Sequence, residues 1–580
     1  MKRAARGAAS VLVVAGCFGA VPAAAQLVVP ASDVLPALPQ SGFGVANPLN
    51  PPSPVGPTGL ATALAGPSLR LPHPGTGIAP LQQNDPTAPA ILIRPFVGLT
   101  ETLTDNARQT PQRTADLETQ IAPGLSVSAD TPRLQGVLGG SFEYDKYAIA
   151  TDQDRHFINL YGNGTAIVLP DTLFADAQAS ISQASQLGGV GFAPVSQLPS
   201  ASQSQIYSLN ASPYLRKSYD GLIDGELRYR YSLVHSGNPA TTLIVSPGLP
   251  AATNLADSMS HEGTLTVATG RDFQRLQSRL TLDASELESG APIANTRLTA
   301  YDDVQYRIID AIAALGRIGY EDINYPSTPG ASTVGPAWQI GSRVDFGPDG
   351  DYAVLRYGKQ ERIYGLSGAL RLQITPSMVV TASASRGLSS EQEDIANTLS
   401  SSSLEPSGAL VDQLGLPTAL VNPEFSLANG VFREKTYRLG VTETIDVNTF
   451  SLFASYDQRS TLATTLGVPP PPASKAISVN FGWTRDIRPG LSASFSVGYG
   501  TVSNLNVATA SNPTNVTTIG NTSTANGALA VNYVFNETLT GSVAYTAVYQ
   551  TGAPTVTGGN TITTGNILTN RLSFILSKTF

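Results

Sequence analysis

The stretch AISVNFGWTRDIRPGLSASFSVGYG, residues 476–500, decides how this chain folds. Its first arm sets Ile477, Val479, Phe481 and Trp483 on one face and Ser478, Asn480, Gly482 and Thr484 on the other. Arg488, Pro489 and Gly490 turn the chain, and the second arm alternates Leu491, Ala493, Phe495, Val497 and Tyr499 with Ser and Gly. A period of two means strands with two unlike faces. The polar face is built of small uncharged residues, where a soluble sheet would carry Lys and Glu. One face therefore meets something apolar along its whole length, and the other meets water without needing charge.

The same scheme extends in both directions. LAVNYVF (529–535), LTGSVAYTAVY (539–549) and NRLSFILSKTF (570–580) repeat it, and comparable runs of ten to fourteen residues recur from Ile91 onward. The connections fall into two sorts. Short turns such as DVNT (446–449), TPS (375–377) and FNET (535–538) alternate with long polar stretches at 389–429, 460–473, 503–524 and 551–565. Tight turns at one end and long loops at the other characterise an outer-membrane barrel. The predicted fold is all-β: a transmembrane antiparallel up-and-down β-barrel of about 22 strands, within a range of 18 to 24, over 91–580. The last four strands are expected to start near 490, 525, 538 and 567. Tyr144, Tyr147, Trp338, Tyr352, Trp483, Tyr545 and Tyr549 sit near strand ends, as interface girdles require.

Composition agrees. Charged residues are 13 %, half the share usual in soluble proteins, yet mean hydropathy is 0.00. No run beyond the first 25 residues reaches the ~18 apolar residues a membrane helix needs. Those first residues read as a secretory signal: Lys2, Arg3 and Arg6, then AASVLVVAGCFGAV, then Ala23–Ala25 before Gln26. A competing reading takes Val14–Cys17 as a lipobox with Cys17 lipidated. Cleavage after Ala25 leaves 32 basic against 43 acidic residues, a net −11, and removes the single cysteine. Disulfides and Cys-bound metals are then excluded, and an acidic exported chain is a poor nucleic-acid binder. Residues 26–90 hold 14 of the 42 prolines and only three charged residues, and read as a mostly disordered periplasmic linker.

Alternation also sorts the charges. On GELRYRYSL (225–233), Leu227, Tyr229, Tyr231 and Leu233 take the lipid face, which puts Glu226, Arg228 and Arg230 inside. The same reasoning turns Arg279, Asp283, Arg317, Glu321, Arg343, Asp345, Arg356, Arg371, Arg438 and Arg571 into the lumen. An Arg or Lys facing lipid near the midplane costs roughly 2–4 kcal/mol. Two roles follow: salt bridges that stiffen a wide wall, or a charged lining that selects a polar solute or polymer.

Catalytic chemistry has little to stand on. His73, His156, His235 and His261 are scattered, with no G-x-S-x-G elbow. ATGRDF (268–273) and GGVGF (188–192) lack the Lys and the following helix of a phosphate loop, and DQD (152–154) lacks the spacing of a Ca²⁺ loop. No enzyme activity, cofactor or metal is expected.

Several segments resemble a family of Gram-negative outer-membrane barrels found with exosortase (PEP-CTERM) and exopolysaccharide systems. They are IRPFVGLTETLTDNA (93–107), IAPGLSVS (121–128), LFADAQASIS (173–182), SPYLR (212–216) and TGRDFQRL (269–276). The resemblance implies a barrel assisting export or surface display of polysaccharide, alongside periplasmic export components, in the outer membrane after Sec-type export. Leu103 stands where that family has an aromatic residue. A small-solute diffusion porin and a closed structural or adhesive barrel are the alternatives, and the Pro-rich leader or segment 389–429 could plug the lumen in any of them. The terminal Phe580 resembles the signal read by the barrel-assembly machinery, and the last strand is expected to pair with the first.

Overall fold

The computed structural model describes residues 90–580 apart from 186–202, 238–254, 291–292, 329, 347–350, 405–409, 426, 463–472, 510–511 and 558–560. The signal peptide, Cys17 and the Pro-rich linker lie outside the described residues, as does GGVGF. The first strands are β1 (Ile91–Thr104), β2 (Asp116–Asp130), β3 (Leu134–Tyr147), β4 (Arg155–Leu169), β5 (Leu173–Ser185), β6 (Gln203–Tyr219), β7 (Ile223–Gly237) and β8 (Ser258–Thr269). Then come β9 (Leu276–Ser289), β10 (Asn295–Ile309), β11 (Ile312–Asn324), β12 (Thr333–Asp345), β13 (Tyr352–Gln360), β14 (Ile363–Thr375) and β15 (Met378–Ser390). A helix α1 (Glu391–Ser401) and a two-residue hairpin, β16 (Ser403–Leu404) with β17 (Leu410–Val411), interrupt the series. It resumes with β18 (Val431–Ile445), β19 (Asn448–Thr461), β20 (Ser474–Arg488), β21 (Leu491–Thr509), β22 (Asn512–Asn536), β23 (Leu539–Thr557) and β24 (Thr561–Thr579).

Each wall strand pairs antiparallel with the next, β15 pairs with β18, and β24 returns to β1, giving one closed sheet of 22 strands. Closure runs from Phe96 opposite Thr579 to Thr104 opposite Arg571, and the Phe580 N–H adds a bond to Pro95 O at 2.9 Å. Closure removes the unpaired edge that lipid could not solvate. No described helix is long and apolar enough to cross a membrane; the crossing is made by strands.

The walls follow the alternation. Leu572, Phe574 and Leu576 point outward, whereas Arg571, Ser573 and Ser577 are buried inside. Lys578, on the outward parity, reaches back to Thr538 Oγ1 at 2.6 Å. One end carries tight turns. At Gly490 (φ 79°) and Asp446 (φ 53°) the chain enters the left-handed region, which Gly adopts freely and Asp tolerates.

Two expectations need correction. Segments 503–524 and 551–565 are not loops: β21–β24 extend through most of them, and β22 alone has 25 residues, far beyond the ~10 needed to cross the bilayer. Beyond the membrane both faces meet water, so alternation vanishes while backbone pairing continues. Tyr147 and Tyr352 are not girdle residues: both lie on the lumen parity, Tyr147 fully buried and Tyr352 under the Arg343 guanidinium at 5.2 Å. The lumen face takes most of the strand charges, with exceptions such as Asp302, which faces outward near mid-strand and accepts from Ser278 Oγ at 2.6 Å.

Candidate functional site

The lumen is the candidate site, and the segment between β15 and β18 runs through it. SSEQEDIANTLSS (389–401) carries its own helix signal. Ser390 Oγ accepts from the Glu393 N–H while the Glu393 carboxylate accepts from the Ser390 N–H at 2.7 Å, a capping box. Glu391, Glu393 and Asp394 place negative charge at the positive end of the helix dipole. Ile395, Ala396 and Leu399 form the apolar stripe.

This helix leaves the wall at the long-loop end and reaches across the ring. At its start, Glu391 Oε2 accepts from Arg459 Nη1 of β19 at 2.6 Å, and Glu393 Oε1 accepts from Asn295 of β10 at 3.0 Å. At its far end, Arg230 of β7 donates to Ser400 Oγ (3.0 Å) and Asn397 Oδ1 (3.3 Å). Asn210 of β6 donates to Ala396 O (2.9 Å), and Tyr161 of β4 to Ser402 O (3.3 Å). Eleven residues span ~16 Å as a helix, so α1 bridges walls that are far apart in the strand order. Apolar contacts fix it: Ile395 and Ala396 pack with Ala184, Ile206, Val234 and Leu427, and Leu399 with Tyr161 and Leu420. Leu416 packs on Phe453.

A second element folds inward. The β13–β14 turn, Glu361–Arg362 with φ 53° and 60°, brings the Glu361 carboxylate to Arg297 of β10 at 3.2 Å and to the Leu388 N–H at 2.6 Å. The Glu361 N–H donates to Glu321 Oε2 at 2.8 Å.

The residues expected in the lumen all lie on its face, gathered into separate clusters. Arg228 pairs with Asp176 (2.8 Å) and Glu226 (2.9 Å) and stacks 3.8 Å over Tyr214. Arg230 binds Glu262, and Thr264 Oγ1 links Glu262 to Asp283. Arg317 grips Asp303 with two bonds of 2.8 and 2.7 Å, Arg356 adds a third at 2.7 Å, and Arg279 lies close enough to feel the same charge. Tyr301 donates to Glu321 at 2.7 Å. Arg343 pairs with Asp345 at 2.7 Å, and Arg371 stands opposite Tyr352. Arg438 reaches Thr418 of the inserted segment at 3.5 Å, and Arg571 lies 3.4 Å from Glu118. Sequence reasoning missed most of the partners: Glu118, Asp145, Arg155, Asp176, Glu262, Arg297, Asp303 and Arg459 share the lumen parity. The Ser390-x-x-Glu393 box with Ile395 and Leu399 was the legible sign of α1.

Burial sets the electrostatics of the inserted elements. It pushes the Glu361 carboxyl up to about 7, with Arg297 pulling the other way. Burial, reinforced by nearby Asp457, takes Glu424 up to about 8. Burial likewise raises Glu391 against the pull of Arg459, and raises Asp394 strongly with Glu434 beside it. Among the described residues there is no cluster of three or more metal-type side chains. Asp152 of DQD pairs with Arg108 at 2.6 Å, and Asp154 accepts from the Tyr147 N–H at 2.8 Å.

The fold and lumen define a closed transmembrane β-barrel with a segment inserted into its lumen. No family model and no curated protein matches the chain. Among solved structures it is similar to a point mutant of the ferric enterobactin receptor PfeA from Pseudomonas aeruginosa (10 % identity, 84 % of this chain and 80 % of that one, TM-score 0.41). It is similar to the siderophore receptor PirA from Acinetobacter baumannii (9 %, 84 % and 80 %, 0.42). It is also similar to OprD from Pseudomonas aeruginosa (8 %, 85 % and 97 %, 0.29). The fold assignment rests on the strand pairing above.

Proposed function

We propose that this chain is a non-enzymatic outer-membrane barrel that assists exopolysaccharide export, as conduit or accessory, with its lumen obstructed at rest by segment 390–430. The single observation carrying the reading is α1, bonded to β10 and β19 at one end and to β4, β6 and β7 at the other. The tight turns would then face the periplasm and the inserted segment would enter from outside. A hydroxyl-rich polymer suits the remaining wall, where Ser208, Ser232, Ser260, Asn480 and Thr524 alternate with the ion-pair clusters. Such a wall offers many weak hydrogen bonds, which permit entry and release. The described histidines support a non-catalytic role. His156, His235 and His261 lie on the outer wall, the last two bonded to Asp257 and Tyr229.

A second reading, a closed structural barrel, is favoured by the apolar packing of Leu399, Leu416 and Leu427, which resembles a core more than a latch. Two measurements separate them. Planar-bilayer recordings should show low conductance for the whole chain and a large open level once residues 391–429 are deleted. A deletion strain should release less polysaccharide; unchanged polymer output would sink the export reading.

A further inference from the structure

On one arc of the lumen the charges do not balance. Asp303 of β10 lies in register between Arg279 of β9 and Arg317 of β11. Arg356 reaches the same carboxylate from β13. It crosses β12 over Gly341, where a Cβ would stand 2.8 Å from Arg356 Cγ. Three guanidiniums therefore face one carboxylate. An ionised carboxylate offers about four lone-pair positions. Asp303 already accepts two bonds from Arg317 and one from Arg356. The neighbouring Asp302 faces outward, and Glu321, higher on β11, is engaged by the Tyr301 hydroxyl and the Glu361 N–H.

The excess continues toward the tight-turn end. At and below this rung the lumen face of β9–β14 carries Arg279, Arg307, Arg317, Arg343, Arg356 and Arg371, against Asp303 and Asp345 among the described residues. Asp351, in the β12–β13 turn, accepts the Gln373 N–H at 2.9 Å. Asp412 of the inserted segment lies near Tyr352, but its Oδ1 accepts the Leu414 and Leu416 N–H groups at 2.9 Å each. Pairs that only stiffen a wall match each base with acid, as Arg228 does with Asp176 and Glu226, or Arg459 with Glu391 and Glu434. Around Asp303 that ratio is reversed. Arg356 is 5 % exposed, and its Nε has no hydrogen-bond partner. A bare buried donor among guanidiniums that repel one another is costly, and an oxyanion relieves both problems. Water reaches this part of the lumen, since the Arg343 and Asp345 side chains are 19 and 26 % exposed. The rung lies six residues down β10 from Arg297, which pairs with Glu393 of α1; that is roughly 20 Å along the strand.

We propose that Arg279, Arg317 and Arg356 form an oxyanion site that takes the carboxylate or phosphate group of a solute in the lumen, with Asp303 holding the guanidiniums in place. Planar guanidinium forks match such groups bidentately, and arginines lining a lumen select anions. Resting on the export reading above, the inference makes the polymer an acidic glycan.

The test is isothermal titration calorimetry on the full barrel in detergent at low salt. The probes are an oligogalacturonate, its methyl ester and inorganic phosphate. The acid form should bind at least about tenfold more tightly than the ester. Arg356→Gln should remove about tenfold of that affinity. Arg356→Lys should keep part of it, because a point charge remains without the planar fork. Asp303→Asn should raise affinity for the acid about tenfold, since the internal competitor for the guanidiniums is gone; a wall-stiffening role predicts no gain. Arg133→Gln, exposed in the β2–β3 turn, should change nothing. Heat-modifiable migration on gels shows which variants are folded, and if Asp303→Asn is not, the two Arg356 variants decide. Equal binding of acid and ester, an Arg356→Gln barrel that binds like the parent, or a folded Asp303→Asn barrel without a gain overturns the proposal. Inorganic phosphate binding as tightly as the oligosaccharide would make this a free-anion site and overturn the glycan assignment. Failure here is distinct from failure of the export reading: a neutral polymer whose output falls in the deletion strain would sink the site and leave export standing.

Discussion

Arg459 is the strongest handle on the inserted segment. It sits buried on β19, binding Glu391 of α1 at 2.6 Å and Glu434 of β18 at 2.5 Å, with its guanidinium 4.8 and 4.6 Å from the Phe425 and Phe432 rings. Arg459→Ala would leave Glu391 and Glu434, with Asp394 beside them, buried without this counter-charge. Removing one partner of a buried pair costs ~3–5 kcal/mol, mostly the burden of the stranded charge. Those carboxylates escape the cost by entering water, and α1 must leave the lumen for Glu391 to do so. At ~1.4 kcal/mol per tenfold, the ratio of withdrawn to inserted segment should rise by two to three orders of magnitude. The wall should hold, because the β18–β19 ladder is made by backbone groups. Single-channel recording is the assay: the variant should show frequent large openings that are rare in the parent, and limited proteolysis should cut within 391–429. Adding Glu391→Gln should partly restore closure, since the two effects are coupled. A folded Arg459→Ala barrel with parental conductance and an uncut segment would refute the reasoning.

Three further outcomes follow from the same geometry. Glu361 and Glu424 titrate near 7 and 8, above the 4.5 of a solvated glutamate; the inserted state therefore keeps protons that the withdrawn state has released. Insertion should weaken as pH rises from about 5 and lose this contribution above about 8. Conductance should climb over that window, and Glu424→Gln should flatten its upper limb; a rise on acidification would contradict it. Val479→Arg, at the middle of β20 on the outer face, should cost roughly 2–4 kcal/mol in a denaturant titration in lipid, where a neutral result would argue against a lipid-facing wall. Removal of Phe580, whose N–H is bonded to Pro95 O, should lower the assembled fraction in the membrane, and undiminished insertion would argue against its role as an assembly signal.

Legibility followed the physics of each element. Strand runs such as Ala476–Thr484 could be read because one face meets lipid and the other water, which writes a period of two into the sequence. Outside the bilayer that contrast disappears, so the upper parts of β21–β24 read as loops although their pairing continues. Lumen charges could be placed by parity, as Arg317 and Arg356 were, but parity does not give partners. Asp303, which both arginines grip, lies beside Asp302, and nothing local says which of the two faces inward. Tyr147 and Tyr352 show the opposite error: position near a strand end suggested a girdle, while parity had already turned both inside.

By itself the sequence determined the barrel, the direction of its faces, the two kinds of connection and the closing partnership of the first and last strands. Each depends on repeated local contrasts between apolar and polar neighbours. Only the tertiary structure decided that α1 crosses the lumen, that Glu361 reaches Arg297 from three strands away, and that the β14–β15 ladder stops at Gly368 opposite Ala384. These features join residues distant in the chain: Asn295 meets Glu393, and Arg230 meets Ser400. Such meetings are fixed by how 22 strands curve into one ring, and no local periodicity encodes that curvature.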